Sequence, residues 1–111
     1  MKNRHAVISL GDISASGESG EVDLSTFHNA WLFLKTGANN ATVSVEAAPE
    51  EFGETPSWFL YGKAVAAPAN SNVAIPIPMG VATDYAVPAR VRVKSTQALT
   101  DVFIEGVRDI A

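Results

Sequence analysis

The feature that most constrains the fold of this chain is a run of strict alternation between apolar and polar side chains near its C-terminus. The run spans Tyr85–Val107. The residues on its apolar side are Val87, Ala89, Val91 and Val93, followed by Val102 and Ile104. A two-residue period is typical of a strand with one buried face and one exposed face. We therefore predict two strands here that pair as an antiparallel hairpin, with Val93 opposite Val102.

The charged residues of the run agree with that register. The hairpin would set Lys94 opposite Asp101 and Arg90 opposite Glu105. Each pair of unlike charges would contribute about a few tenths of a kcal/mol. Because a shift of one residue would turn every valine toward water, the pattern predicts a single register.

Shorter runs of the same kind precede the hairpin, at residues 4–10, 21–27, 30–35, 41–47, 58–65 and 73–77. Turn-forming residues separate them, and none has the period of a helix. This spacing predicts an all-β fold, an antiparallel β-sandwich or jelly-roll-like domain of about seven to eight short strands with little or no helix. We expect one domain over residues 1–111, with residues 1–10 as a candidate N-terminal arm.

Two of these runs carry further information. The run at residues 30–35 is apolar on both sides, with aromatic side chains facing one way and leucines the other: Trp31 and Phe33, then Leu32 and Leu34. Such a strand is expected to be central, or covered on its outer face by a neighbour. In the run at residues 73–77, Pro76 and the following Pro78 remove backbone donors, which predicts an edge strand or an extended arm.

Composition excludes several classes of function. A net charge of −4 without a basic cluster disfavours nucleic-acid binding. No apolar run approaches the ~20 residues of a membrane span. The apolar residues 6–10 are too few for a signal peptide, so we expect no classical secretion. Cysteine is absent, which leaves no disulfide or thiolate metal site.

Candidate catalytic and metal-binding residues are sparse. The two histidines, His5 and His28, have no cysteine and no regularly spaced carboxylates around them. The cluster of Glu50, Glu51 and Glu54 lacks the spacing of a calcium loop. It is better interpreted as a solvated acidic loop or a contact for a basic partner. No nucleophile, base and orienting group occur together. We therefore expect no enzyme activity, no cofactor, no metal and no small-molecule substrate.

The order of motifs resembles small β-sandwich proteins from the virions of tailed bacteriophages. The resemblance covers roughly residues 20 to 107. The segments that carry it are Gly20–Leu24, Ala41–Glu46, Trp58 after a short loop, Ala89–Val93 and Asp101–Glu105. In such proteins an alternating-valine strand, a loop and a tryptophan are followed by a final hairpin that begins Arg-Val-Arg-Val.

The resemblance implies a structural virion protein, most plausibly a capsid decoration (cement) protein on the particle exterior, made in the cytoplasm of a bacterial host. Its expected partner is the major capsid protein, or another virion protein, and its expected state is a homotrimer. Arms at residues 2–10 and 66–79 would reach other subunits. The residues expected to contact partners are Lys2, Arg4, His5, Glu50, Glu51, Pro76, Pro78 and Met79.

Two alternatives remain. The first is a tail- or fibre-associated β-sandwich module that binds carbohydrate, which requires an exposed Trp31, Trp58 or Tyr61 for stacking on a sugar. The second is a small hydrolase or isomerase on a jelly roll, which requires His28 in a pocket beside two carboxylates.

Overall fold

The computed structural model describes residues 2–48, 57–78 and 90–110, and the side chains of residues 5–48, 57–78 and 90–108. The described residues form nine strands: β1 (Lys2–Ile13), β2 (Gly17–Glu18), β3 (Phe27–Thr36), β4 (Ala41–Ala47), β5 (Phe59–Leu60), β6 (Val65–Ala67), β7 (Asn72–Ile77), β8 (Val91–Ser95) and β9 (Leu99–Ile110). This part of the chain contains no helix, and so no helix that could cross a membrane.

The strands form two antiparallel sheets. The four-stranded sheet has the order β1-β9-β3-β7, and the five-stranded sheet has the order β2-β8-β4-β5, with β6 also paired to β4. When β5 and β6 are taken as two halves of one strand position, this is the strand order of a jelly roll. The predicted all-β, antiparallel sandwich is thereby confirmed.

The core lies between the two sheets and consists of the inward half of each alternating pattern. Its fully buried side chains include Leu24, Leu32, Val43, Val91, Val93, Leu99, Val102 and Ile104. In β4, the alternation predicts Ala41, Val43, Val45 and Ala47 as inward; the first three are buried and Ala47 is half-buried, whereas Thr42 is exposed. The alternation therefore predicted correctly which side chains face the core.

The predicted hairpin between the last two strands is wrong. β8 pairs with β4 and β2, whereas β9 pairs with β1 and β3, so the chain crosses from one sheet to the other between Ser95 and Leu99. Val93 and Val102 both face the core, but from opposite layers. The apolar–polar alternation of two strands is the same whether the strands are hydrogen-bonded in one sheet or face each other across the core from two sheets.

The predicted charge pairs fail for the same reason. In the structure Arg90 pairs with Glu21 at 2.9 Å, and Lys35 pairs with Asp101 at 3.3 Å. Glu105 accepts a 2.8 Å hydrogen bond from the His5 ring. Arg90, Asp101 and Glu105, which the hairpin would have involved in its charge pairs, thus have other partners.

Strand boundaries also differ from the sequence prediction. The first strand continues through Gly11, where a positive φ of 70° accompanies a shift of register against β9. Residues 2–10, suggested as an arm, are paired with β9 along their length. Residues 28 and 29, predicted as a break, lie inside β3 at another register shift. The run at residues 58–65 forms parts of two short strands, and in residues 21–26 a single bridge from Val22 to Val91 replaces the predicted strand.

Two predictions for the remaining strands are correct. β3 is central, between β9 and β7, and β7 with Pro76 is an edge strand. The acidic loop with Glu50, Glu51 and Glu54, and the alternating residues before Arg90, lie outside the described residues.

Candidate binding face

The outer surface of the four-stranded sheet is apolar and exposed. We call it the aromatic face, and it comprises Val7, Trp31, Phe33, Ala74, Pro76 and Phe103. Val7 is 58% exposed and Trp31 is 45% exposed. Both belong to one row of directly opposite residues that runs across the sheet. In strand order, from β1 to β7, this row consists of Val7, Glu105, Trp31 and Pro76.

The neighbouring row holds a pair of stacked rings. Phe103 lies opposite Phe33, which lies opposite Ala74. The two phenyl rings have centroids 5.0 Å apart and planes inclined by 16°. Because stacking holds both rings in one arrangement, the centre of the aromatic face is a fixed surface rather than a set of independent side chains.

An open pocket of about 260 Å³ lies at one end of this row. Phe33, Phe103, Ala74 and the Lys35–Asp101 ion pair line much of it. Asp101 has a left-handed φ of 50°, and its N–H donates to the Asp12 side chain at 3.2 Å. The aromatic face therefore ends in a pocket that has an apolar wall and a charged rim.

The outer surface of the five-stranded sheet carries a network of paired charges centred on Arg92, and it also exposes Phe59 and Leu60 on the short strand β5. The Arg92 Nε donates to Glu46 Oε1 at 2.7 Å, and a second Arg92 nitrogen lies 3.8 Å from Glu18. The guanidinium of Arg92 also lies 4.3 Å from the centre of the Trp58 ring, a cation–π contact. Most of the polar groups on this surface thus have partners within the chain.

At the edge of that network the pKa of Glu21 is lowered. The main cause is the side-chain hydrogen bond from Arg90, and the charges of Arg90 and Arg92 act in the same direction. Arg90 binds the carboxylate through two nitrogens, at 2.9 Å and 3.2 Å. This pairing holds residues 21 and 22 against the start of β8.

The structure separates the predicted partner-binding residues instead of gathering them. Lys2, Arg4 and His5 lie on β1, and Pro76 lies on β7, at the opposite edge of the same sheet; Pro78 follows that strand. Glu50, Glu51 and Met79 lie outside the described residues. Of the predicted residues with described side chains, Pro76 belongs to the aromatic face and His5 lies beside it through Glu105.

The sequence contained part of the signal for the aromatic face. Trp31 and Phe33 were predicted to face away from Leu32 and Leu34, and they do. What the pattern did not indicate is that this side stays exposed, since an apolar outer side usually has a covering neighbour. The two other predicted aromatics are less open, because Trp58 is half-buried beneath Arg92 and Tyr61 packs against the core.

The described residues contain no group of three or more histidine, cysteine or acidic side chains that could hold a metal ion. His5 bonds Glu105, and His28 lies exposed on β3. The chemistry that the aromatic face offers is the burial of apolar surface.

Comparison with known proteins finds similarity at the level of structure. No protein-family model matches the chain, and no curated protein matches it in sequence. Among solved structures, a chain of the T13 viral particle of infectious bursal disease virus superposes with a TM-score of 0.55 at 9% identity, over 96% of this chain and 31% of that one. A chain of the same virus, Gx strain, gives 0.53 at 10% identity, over 96% and 32%.

A third structure, PirA, covers 96% of this chain and 92% of its own at 12% identity, but its TM-score of 0.46 supports no inference. The chain spans about a third of the length of the two viral chains it resembles. What these comparisons establish is the fold: the chain is a β-sandwich whose architecture recurs in chains of an icosahedral virus particle.

Proposed function

We propose that this protein is a structural component of a virus particle, and that within this role it is a decoration (cement) protein bound to the outside of the capsid of a tailed bacteriophage. The observation that carries the proposal is the aromatic face, where exposed Val7 and Trp31 flank the stacked rings of Phe33 and Phe103 across four paired strands. An exposed apolar patch rimmed by polar groups is typical of a protein-binding surface. The likeness in fold to chains of a viral particle supports the same proposal.

The size of the face indicates what kind of contact it makes. With strands ~4.8 Å apart and a rise of ~3.4 Å per residue, four strands and about five residues span roughly 300 Å². A stable interface between two proteins buries about 800 Å² on each partner. A single aromatic face would therefore bind weakly, and its contact becomes useful where many copies bind a repeated lattice or where copies are linked.

Because a single face binds weakly, the aromatic face suits a capsid surface with many repeated sites, and it suits the proposed homotrimer. A trimer engages three faces at once, so its overall affinity exceeds that of one face by a large factor. The partner is the major capsid protein or another virion protein, and the role is non-enzymatic. Synthesis in the bacterial cytoplasm, without nucleic acid, membrane, metal or cofactor as a partner, belongs to the same proposal.

The test is made on particles of the virus that encodes the chain. Particles banded on a density gradient should contain the chain at a fixed ratio to the major capsid protein, and a map of the particle should place it outside the shell with Trp31 at the contact. Particles made without the chain should release their genome at a lower temperature. Recovery of the chain in the soluble fraction, with particles of unchanged stability, would contradict the proposal.

A second candidate function is a carbohydrate-binding module on the tail or fibre. The exposure of Trp31 favours it, because a flat aromatic ring beside a carboxylate, Glu105, is a common surface for a sugar ring. A glycan array probed with the wild-type protein and with Trp31→Ala separates the two. Binding that the substitution abolishes supports the module, and an array without signal eliminates it.

A further inference from the structure

The strand β1 is an open edge of its sheet. It pairs with β9 on one side, and no described residue pairs with its other side. Natural sheets protect such edges with proline, lysine, bulges or short length. β1 has Lys2 at its start and two register shifts after Ser9, and the stretch between them is unprotected. Residues 5–9, His-Ala-Val-Ile-Ser, contain no proline, lysine or acidic residue, and their register against β9 is unbroken.

The other edges among the described strands are protected. β7 carries Pro76 and is followed by Pro78, and these residues have no N–H for a further strand. β2 and β5 have two residues each and β6 has three, which is too short to guide a partner strand. Among the strands that the structure describes, β1 is therefore the one long edge that can accept a further strand.

A second copy of the chain is the occupant that fits this edge. Because β1 is the one long open edge among the described strands, pairing it with its own copy about a two-fold axis gives a closed dimer. An antiparallel arrangement also matches charge, because β1 begins with Lys2 and Arg4 and carries Asp12 near its other end. The basic end of one copy then lies alongside the acidic end of the other.

We propose that two copies pair β1 to β1, antiparallel, across a two-fold axis near Ala6 or Val7, and so join their four-stranded sheets into one sheet of eight strands. An axis perpendicular to the sheet keeps both aromatic faces on the same side. The axis passes between the two strands, midway between the two copies of one residue, so that directly opposite side chains lie on the same face. With the axis at Val7, Val7 meets its own copy; with the axis at Ala6, Val7 meets His5 of the other copy.

This contact goes beyond the proposed function and does not depend on it. It also does not compete with a trimer, because neighbouring threefold positions of an icosahedral lattice are related by two-fold axes. Pairing through β1 would place two aromatic faces side by side and double the apolar surface that a partner meets. It would also cover part of Val7, the most exposed large apolar side chain described.

Cross-linking tests the proposal with purified protein alone. The chain has no cysteine, so each introduced thiol reports one position. Residues directly opposite in antiparallel strands have Cα atoms ~4.5–5.5 Å apart, within the ~4.4–6.8 Å that a disulfide spans. We expect a covalent dimer on mild oxidation of Val7→Cys, or of an equimolar mixture of Val7→Cys with an affinity-tagged His5→Cys chain.

The matched control is Ala74→Cys, which places an exposed thiol on the outer side of the closed edge β7. It should form covalent dimer at least tenfold more slowly. Urea should abolish the difference between the variants. If neither Val7→Cys nor the mixture exceeds Ala74→Cys, the proposal is wrong.

Light scattering gives an independent measurement. The wild-type mass should be an even multiple of 11.7 kDa, that of two chains, or of six where the proposed homotrimer also forms. Val7→Lys, which introduces a lysine at the exposed edge, should halve that mass, while Ala74→Lys should leave it unchanged. A wild-type mass of one or three chains, or an unaltered mass for Val7→Lys, would overturn the inference.

Discussion

At the scale of single residues, Gly106 is the position where a side chain would be most disruptive. It lies on β9 between Ala6 of β1 and Ala30 of β3. A Cβ atom there would overlap the backbone oxygen of Asn29 and crowd the Ala30 Cα. The register shift of β3 at Asn29 brings that carbonyl close, so only glycine lets the central pair of strands approach.

We therefore expect Gly106→Ala to lower the free energy of unfolding by roughly 1–3 kcal/mol, the usual cost of overpacking. Urea denaturation measures it. Gly20→Ala is the control, because a Cβ at Gly20 would meet no atom within 4 Å. It should change stability by less than about 0.5 kcal/mol. Equal losses at the two positions would contradict the packing argument.

The Arg90–Glu21 pair predicts a dependence on pH. Because the pKa of Glu21 is lowered in the folded protein, the carboxylate contributes stability above its pKa in the unfolded chain. That contribution is lost as pH falls through the lower, folded-state pKa. The side chain is exposed, so the effect is small.

The comparison is between wild type and Glu21→Gln. We expect the wild type to have the higher urea midpoint near neutral pH and the two midpoints to converge in acid. A difference that persists unchanged at low pH would show that the substitution acts through something other than the charge of Glu21.

At the scale of elements, the last two strands show what alternation can and cannot predict. Val91, Val93, Val102 and Ile104 are buried as predicted, because a two-residue period determines which face of a strand meets the core. That period does not indicate which strand is the hydrogen-bonded neighbour. The choice of neighbour depends on the short link after Ser95, in which the Ser95 hydroxyl donates to the Gln97 carbonyl at 2.6 Å, and the chain then continues into the other sheet.

Paired cysteines distinguish this crossing from a hairpin. Ser44 and Lys94 are directly opposite in β4 and β8, so the double cysteine variant should form an intramolecular disulfide on oxidation. Lys94 and Asp101 would be opposite in a hairpin, but they lie on the outer sides of sheets that pack ~10 Å apart. That second variant should keep two free thiols, as counted by mass after alkylation. A disulfide between positions 94 and 101 would show that the last two strands pair as a hairpin after all.

The aromatic face could be predicted in part for a related reason. The period placed Trp31 and Phe33 on the side of their strand away from Leu32 and Leu34, and Phe103 on the outer side of its strand, as found. The period could not predict that β3 pairs with β9, because that pairing joins residues about 70 positions apart in the chain. Whether an outer side is covered depends on the whole assembly of strands, which no local pattern records.

At the scale of the whole molecule, the two sheets have different outer surfaces. One carries the paired charges around Arg92, with exposed Phe59 and Leu60 confined to the short strand β5, while the other carries the aromatic face beside the open edge of β1. Apolar groups left in water contribute about 25 cal/mol per Å² when a partner buries them, whereas charges already paired gain little from a partner. The asymmetry thus directs binding to one side of the sandwich.

Substitution of Trp31 tests whether the protein binds its partner through the aromatic face. A large aromatic side chain at the centre of an interface commonly contributes 2 kcal/mol or more to binding, about thirtyfold in affinity. Trp31→Ser should therefore reduce occupancy on particles stripped of the chain, measured by sedimentation over a range of protein concentrations. Because almost half of the side chain is already exposed, the variant should still unfold cooperatively.

Phe59→Ser is the matched control, since Phe59 is 54% exposed but lies on β5 of the other sheet. It removes a comparable area of exposed apolar surface from the molecule, so any general effect of hydrophobicity on sedimentation acts on both variants. Binding through the aromatic face predicts that Phe59→Ser occupies particles as the wild type does while Trp31→Ser does not. Equal occupancy by the two variants would mean that the particle is contacted elsewhere, because a surface that carries the binding energy cannot lose its central ring without a shift in affinity.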